Sequence, residues 1–490
     1  MVARDLREWL ESVAKCGELK SISGADWKLE MAGLAELACR ESKGTIPAIL
    51  FDEIQGYPKG FRALFNQLNS PKRLALTLGL TLDSEDKLDF VRACREKIRN
   101  LTLIPPRVVE SGPVQENVDI GDQVDLLKFP VPHQHELDGG RYIGTAHAVV
   151  TRDPDSGWVN LGTYRCMVFG RDKFALHISP GRHGRIMRDD LYFARGQPMK
   201  VAVVIGAEPV VWLTSFNEVP WGVSEYDFAG GLKGEPIEVI PGPFTGLPIP
   251  ARAEIVVEGE CFPGELQPEG PFGEWAGYYA NCGLKPVPEP VVHVKTVLHR
   301  DNPILTVSHP AKPPQDVGFP QSVFRSATMW HELEAAGVPG IQGIWMHEVG
   351  GGRLFNVVAI RQLYPGHARQ AGLLASQTRT GVYVGRYTIV VDEDINPTDL
   401  GDVIWAIASR TDPERSIEII RRCRSSSADP ALSPDKKEIG RNPTDTFTSK
   451  AIIDACWPYE WKDRAYPVAQ ISPELRRSLL QKWGEQLFGD

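Results

Sequence analysis

Two glutamates stand five residues apart in "PEGPFGEW" (268–275): Glu269 and Glu274, separated by Gly270, Pro271 and Gly273 and abutting Phe272 and Trp275. A carboxylate against an aromatic wall costs free energy unless something neutralises or uses it. A second concentration of chemistry-bearing residues fills "WVNLGTYRCMVFGRDKFALHISPGRHGRIMRDD" (158–190). Asn160 and Arg165 lie five apart, which puts them on opposite faces of a regular strand. Gly162 between them provides a bulge or a strand end that turns both toward one place. "SPGRHGR" (179–185) is a Gly- and Arg-rich turn whose amides and guanidinium groups suit a phosphate, and it holds His183. Glu225 sits in the Gly-punctuated "PWGVSEYDFAGGL" between Trp221 and Tyr226. Asn160, His183 and Glu225 offer oxygen, nitrogen and oxygen donors, a set for Mn²⁺ or Mg²⁺ rather than structural zinc. Taken singly, these features favour a bland role: Arg165 a solvated charge, His183 a loop residue and the two glutamates a tight surface turn, with Glu225 either a ligand or a loop carboxylate.

The elements that must position these residues are mixed. "LREWLESVAK" carries Leu6, Trp9, Leu10, Val13 and Ala14 at helical spacing, and "IPAILFDEI" reads as a buried strand. Two Pro-rich passages, "LIPPRVVESGP" (103–113) and "HPAKPPQDVGFP" (309–320), divide the chain. Between them run short strand candidates: "GTAHAVVTR", "VNLGTYRCMVF", "MKVAVVIGA", "PVVWLTSF", "AEIVVEGE" and "EPVVHVKTVLHR". Turn residues separate most of them, the pattern of a β-barrel or sandwich. The last third returns to α/β: "IQGIWMHEV" and "RLFNVVAIRQ" as paired strands, "PGHARQAGLLASQ" as a helix, and "YTIVVDEDI" leading into "TDLGDVIWAIASR". A closing helix is predicted with Ser472 as cap, Pro473 in its first turn and a Leu475, Leu479, Trp483, Leu487 stripe.

The 490 residues are 24% charged and 42% hydrophobic with a formal net charge of −9, a soluble globular balance with material for two or three domains. Net acidity argues against nucleic acid or an anionic membrane as the partner. The eight cysteines show no C-x-x-C pairing, which fits reduced thiols better than disulfides or zinc. No apolar run reaches membrane-spanning length and the N-terminus lacks a signal-peptide core, so the expected compartment is the cytoplasm. The G-x-G-x-x-G, Walker, H-E-x-x-H and G-x-S-x-G signatures are missing, which lowers nicotinamide, nucleotide, zinc-protease and serine-hydrolase readings.

"NLGTYR", "SPGRHGR", "VSEYDFAGGL" and "PEGPFGEW", in this order, closely resemble the UbiD family of prenylated-flavin-dependent (de)carboxylases. Arg165, His183 and Glu225 follow Asn160 by 5, 23 and 65 residues, the family's spacing, and "YPGHARQ" and "DVIWAIASR" extend the likeness over nearly the whole chain. The resemblance implies an α/β (α+β) fold in three parts: an N-terminal α/β region (1–105), a split β-barrel of flavin-reductase type binding cofactor and metal (106–320), and a C-terminal α/β domain (321–490), joined by a helix and used in oligomerisation. It implies prenylated FMN as cofactor, with Mn²⁺ and also K⁺, and Asn160, His183 and Glu225 as the Mn²⁺ ligands that tie down the flavin phosphate. Thr163, Tyr164, Arg165, His177, Ile178, Ser179 and Arg182 fall in the cofactor-contacting stretches. Arg165, Glu269 and Glu274 match the family's catalytic triad. A cofactor-contacting basic residue from the C-terminal domain has two candidates here, Arg361 and Arg369.

The implied activity is non-oxidative, reversible decarboxylation of an aromatic or heteroaromatic acid, with a flavin prenyltransferase supplying the cofactor and a homodimer or homohexamer as the assembly. Within it, Arg165 keeps Glu269 ionised, while an apolar pocket and the neighbouring carboxylate keep Glu274 protonated for donation. Tyr226, His133, His135 and Tyr278, with Trp221 and Trp275, are expected around the substrate and favour a ring-bound carboxylate over a cinnamic one. The rivals are cinnamic-type acids, fused-ring acids, aryl-CoA thioesters, net carboxylation, a flavin-free metal hydrolase and a non-catalytic flavin-binding or assembly protein.

Overall fold

The computed structural model describes residues 2–82, 84, 86–217, 219–281, 283–439 and 446–488. Helix Leu6–Lys15 begins where Asp5 accepts from the Glu8 amide, and it buries Leu6, Trp9, Leu10 and Val13 as the periodicity predicts. Ala14 is exposed instead. Strands Leu19–Ser23, Ala48–Asp52 and Arg62–Phe65 form the N-terminal sheet, with Ala48–Asp52 inside "IPAILFDEI". Its fourth strand, Ile304–Thr306, pairs in parallel with Arg62–Phe65, so the chain returns to its first region after crossing the second.

The central sheet has nine antiparallel strands. Its spatial order is Tyr142–Gly144, Cys166–Val168, Lys173–Leu176, Val287–His299, Ile255–Glu269, Met199–Ile205, His147–Arg152 and Val159–Gly162, with Asn117–Ile120 also on Val287–His299. Strand Val159–Gly162 is one edge and Cys166–Val168 is next to the other, yet only residues 163–165 connect them. In a flat sheet the six intervening steps would separate them by roughly 29 Å. Four residues of chain reach about 14 Å at most. The sheet therefore curls until its two ends meet, an open barrel, and Thr163, Tyr164 and Arg165 lie in the split. Among the described residues neither end strand has a second partner.

Two strand expectations differ from the structure. "VNLGTYRCMVF" is two strands interrupted at Thr163–Arg165, the strand end foreseen at Gly162. "PVVWLTSF" is the helix Pro209–Ser215, with Pro209 in its first turn and every residue buried. Periodicity cannot separate a short continuous apolar run in a strand from one in a buried helix, and the leading proline favours the helix.

Helix Gly318–Ala335 links to a five-stranded sheet ordered Ile341–Met346, Phe355–Ile360, Tyr387–Asp392, Phe447–Asp454, Ile417–Arg424. The three inner strands run parallel and the outer two antiparallel. Helices His367–Gln377 and Leu400–Arg410 form where the sequence predicts them, the latter capped by Asp399. The closing helix Pro473–Phe488 starts with Ser472 Oγ accepting from the Leu475 amide, but its Leu475, Leu479, Trp483 and Leu487 stripe is exposed. The seven described cysteines form no disulfide, and no described helix is long and apolar enough to cross a membrane.

Candidate active site

The Thr163–Arg165 crossing is held from both sides. The Thr163 amide donates to Ser215 O at 3.0 Å, and His147 Nε2 donates to Tyr164 O at 2.8 Å. The Tyr164 ring then packs where Gly162 and Gly184 leave room: a Cβ on either would lie 2.2 or 2.6 Å from it. Its hydroxyl accepts from the Gly184 amide at 3.1 Å and from Asn160 Nδ2 at 3.4 Å. One tyrosine thus ties the "NLGTYR" strand end to the "SPGRHGR" turn.

Arg165 points its guanidinium at both acids of the opening motif. Its Nε and Nη2 donate to the two oxygens of Glu269, each at 2.8 Å, and Nη1 donates to Glu274. Tyr142 Oη donates to Glu269 Oε1 at 2.9 Å. The Phe272 ring lies 5.3 Å from the guanidinium carbon and 4.2 Å from the Tyr142 ring. The Glu269 side chain has 0% exposure and that of Arg165 9%. Burial would raise the Glu269 carboxyl, but the charge and hydrogen bonds of Arg165 outweigh it and hold the group below the usual carboxylate range. Burial opposes the charge on Arg165 as well, and Glu269 and Glu274 together push its pKa well above the ordinary value.

For Glu269 the expected ion pair is present. For Glu274 the surroundings differ from expectation. Phe272 packs on Arg165 and Tyr142, and Glu274 itself accepts from the guanidinium, so it faces a cation as well as apolar walls.

These groups open onto a cavity of about 290 Å³. Asn160, Thr163, Tyr164, Arg165, His177, Ser179, Arg182, His183, Glu225 and Glu274 all line it. Ile178 is buried behind the wall, where its carbonyl accepts from Arg185 Nη1 at 3.3 Å, and Glu269 stands behind Arg165. Glu225 opens helix Glu225–Lys233, which Ser224 caps, and its Oε2 accepts from the Leu161 amide at 2.7 Å. Burial pushes its carboxyl up to about 8, opposed by backbone N–H groups. A cation beside it would offset that burial. Asn160 gives its amide nitrogen to Thr151 Oγ1 at 3.1 Å and to Tyr164, which leaves the carbonyl oxygen to act as a ligand. The His183 ring is set edge-on between Trp158 and Trp221, at 5.3 and 5.1 Å. An oxygen, a nitrogen and a buried carboxylate oxygen around one cavity fit a hard divalent ion, and the arginines nearby fit a phosphate.

Several contributors had no local signal. Tyr142 comes from the opposite end of the curled sheet, and His177 Nδ1 meets Glu289 Oε1 at 2.8 Å across two strands. Arg325, Arg353, Arg379 and Arg424, from the C-terminal third of the chain, also line the cavity, Arg353 and Arg424 lying over the Tyr383 ring. Neither candidate for the C-terminal domain's basic residue is among them: Arg369 pairs with Glu418 on the surface at 2.8 Å, and Arg361 is exposed. Of the groups expected around the substrate, only Trp275 lines the cavity. Tyr226 is fully buried with its hydroxyl on Pro248 O, and Tyr278 and Trp221 are 63% and 52% exposed. His135 stacks on His309 and His133 pairs with Lys28, both away from the cavity.

Three family profiles cover the chain: the 3-octaprenyl-4-hydroxybenzoate carboxy-lyase (UbiD) N-terminal domain over residues 10–93, the Rift-related domain over 107–313 and the C-terminal domain over 319–455. A curated relative, the pyrrole-2-carboxylic acid decarboxylase of Pseudomonas aeruginosa, is 31% identical, covering 100% of this chain and 99% of its own. The UbiD-class enzyme HmfF from Pelotomaculum thermopropionicum, solved with FMN, superposes with a TM-score of 0.82 at 29% identity over 98% of this chain and 100% of its own. An evolved dimeric form of HmfF was solved with prFMN. The closed form of vanillic acid decarboxylase from Sedimentibacter hydroxybenzoicus superposes with a TM-score of 0.84 at 27% identity over 100% of both chains.

Proposed function

The chain belongs to the UbiD family of decarboxylases, which are carboxy-lyases, and from that premise we propose that it reversibly decarboxylates an aromatic or heteroaromatic monocarboxylic acid with prFMN as cofactor. The observation that carries this reading is the buried Arg165 shared by Glu269 and Glu274 at the cavity wall. The division at residues 105 and 320 is part of the same proposal.

Asn160, His183 and Glu225 would hold Mn²⁺ against the cofactor phosphate, with Arg182 adding positive charge. Loss of CO₂ from an sp² carbon leaves an electron pair that no side chain can accept, and a bound prFMN supplies that electron sink. The remaining tasks fall to the protein. Glu269 engages Nε and Nη2 of Arg165, so Nη1 is the donor open to exchange. A substrate carboxylate takes that donor and displaces Glu274. Released from the guanidinium, Glu274 takes up a proton from solvent and delivers it to the carbon that lost CO₂, and microscopic reversibility makes its carboxylate the base in carboxylation. Phe272 and Trp275 keep water from the reacting carbon.

Protein co-expressed with a flavin prenyltransferase and given a panel of benzoates, hydroxybenzoates, furan, pyrrole and indole carboxylates, and cinnamates should release CO₂ from a ring acid. The same acid should form from its decarboxylated product under bicarbonate. The ring acids named for the relatives, pyrrole-2-carboxylic and vanillic, support this choice. Cinnamate turning over much faster than every ring acid would overturn it.

The metal set has its own test. His183→Ala and Glu225→Ala should purify without flavin absorbance and without Mn²⁺, because losing a ligand loses the cation that neutralises the phosphate. Either variant retaining a full complement of both would refute the ligand assignment.

A further inference from the structure

Outside the cavity one cluster of ligand-type side chains has no part in this chemistry. Glu36 on helix Glu30–Glu41, His135 in the loop before strand Tyr142–Gly144, and His309 just after strand Ile304–Thr306 bring their ligand atoms within 4.8 Å of one another. Glu36 Oε2 lies 3.7 Å from His309 Nε2 and 4.0 Å from His135 Nε2. The rings are stacked, with centroids 5.1 Å apart. His309 is 1% exposed, yet neither of its ring nitrogens has a hydrogen-bond partner. Buried polar atoms are nearly always bonded, so two orphans on one imidazole need a cause.

We infer that Glu36, His135 and His309 form a binding site for a divalent transition-metal ion of the zinc class. Two imidazoles and a carboxylate are the borderline donors such ions take, with a fourth position for water. With metal–ligand bonds of about 2.0–2.2 Å, tetrahedral donors stand about 3.4 Å apart, so the two Glu36–histidine distances of 3.7 and 4.0 Å are within a few tenths of an ångström of that spacing. The supporting groups are in place. Glu36 Oε1 accepts from Arg40 Nε at 2.7 Å, which leaves Oε2 for the ion. His135 Nδ1 lies 3.5 Å from Asp138 Oδ2, the kind of carboxylate that orients a ligating histidine.

The site backs the catalytic loop. A Cβ on Gly273, the neighbour of Glu274, would lie 3.2 Å from Pro310 O and 3.6 Å from His135 Nδ1. An ion there pins the N-terminal helix Glu30–Glu41 to the two loops supporting that turn. This site does not depend on the proposed reaction.

Chelator-stripped Glu225→Gln protein, in which the cavity's own ligand set is disabled, is the material for the test. Titrated with Co²⁺, it should develop visible d–d bands of a tetrahedral nitrogen–oxygen site, and one equivalent of Zn²⁺ should bleach them. Zn²⁺ should also raise the melting temperature with rising concentration. Adding His309→Gln, or separately His135→Gln, should abolish the bands and the Zn²⁺-dependent shift. Near-UV circular dichroism of the stripped variants identifies any that misfold, and the less buried His135 serves if His309→Gln does. Absence of bands in the Glu225→Gln protein, or their persistence in the folded histidine variants, would overturn the inference.

Discussion

Arg165→Met should abolish CO₂ release and destabilise the fold by about 3–5 kcal/mol, the cost of leaving one partner of a buried ion pair charged and alone. The stranded partner is Glu269, whose side chain is fully buried and whose carboxylate engages two of the three Arg165 nitrogens. The pH dependence of stability should change sign at this residue. In the wild type, burial raises the Glu269 carboxyl but Arg165 lowers it more, so its folded pKa lies below the unfolded one. The stability it contributes is therefore present at neutral pH and lost as pH falls through that depressed value. Without Arg165, only Tyr142 and His177 oppose burial, and the folded pKa rises above the unfolded value. The variant should then be least destabilised in acid and lose stability as pH rises through the carboxylate range. Denaturant unfolding at about pH 4 and pH 7 measures both slopes. Arg165→Met/Glu269→Gln should recover much of the lost stability and none of the activity. A single variant as stable at neutral pH as the wild type would mean that the pair is not the buried, mutually dependent unit described above.

Glu274→Gln should keep cofactor and substrate binding and lower turnover by about 10²–10⁴-fold, the usual contribution of a positioned general acid. Glutamine preserves shape and can still accept from Arg165 Nη1, but it cannot supply the proton. Glu269→Gln should differ in kind, weakening substrate binding along with rate, because it loosens the guanidinium that holds the substrate carboxylate. Single-turnover spectroscopy separates the two by showing whether the substrate still engages the loaded enzyme. Near wild-type turnover by Glu274→Gln would assign the proton to another residue or to water.

Much of the site is local in sequence, which is why it was legible. Asn160 to Arg165 is one strand end and its crossing, Ser179 to Arg185 one turn, and Glu269 to Glu274 one loop. Spacing along the chain carries geometry when few backbone angles lie between the residues, so motif order could stand for proximity. The helices with strong periodicity, Leu6–Lys15 and Leu400–Arg410, were legible for the same reason. Pro209–Ser215 was not, because a fully buried helix shows no polar face.

What only the tertiary structure decided involves contacts between residues far apart in sequence. Curling of the central sheet brings Tyr142 onto Glu269, and no local pattern announces that pairing. The return of Ile304–Thr306 to the N-terminal sheet sets His309 beside Glu36, 273 positions away along the chain. Arg325, Arg353, Arg379 and Arg424 reach the cavity because the C-terminal domain packs over it, whereas Arg361 and Arg369, equally basic in sequence, face solvent. An arginine's type sets its charge, but only packing determines whether that charge meets water or a buried site.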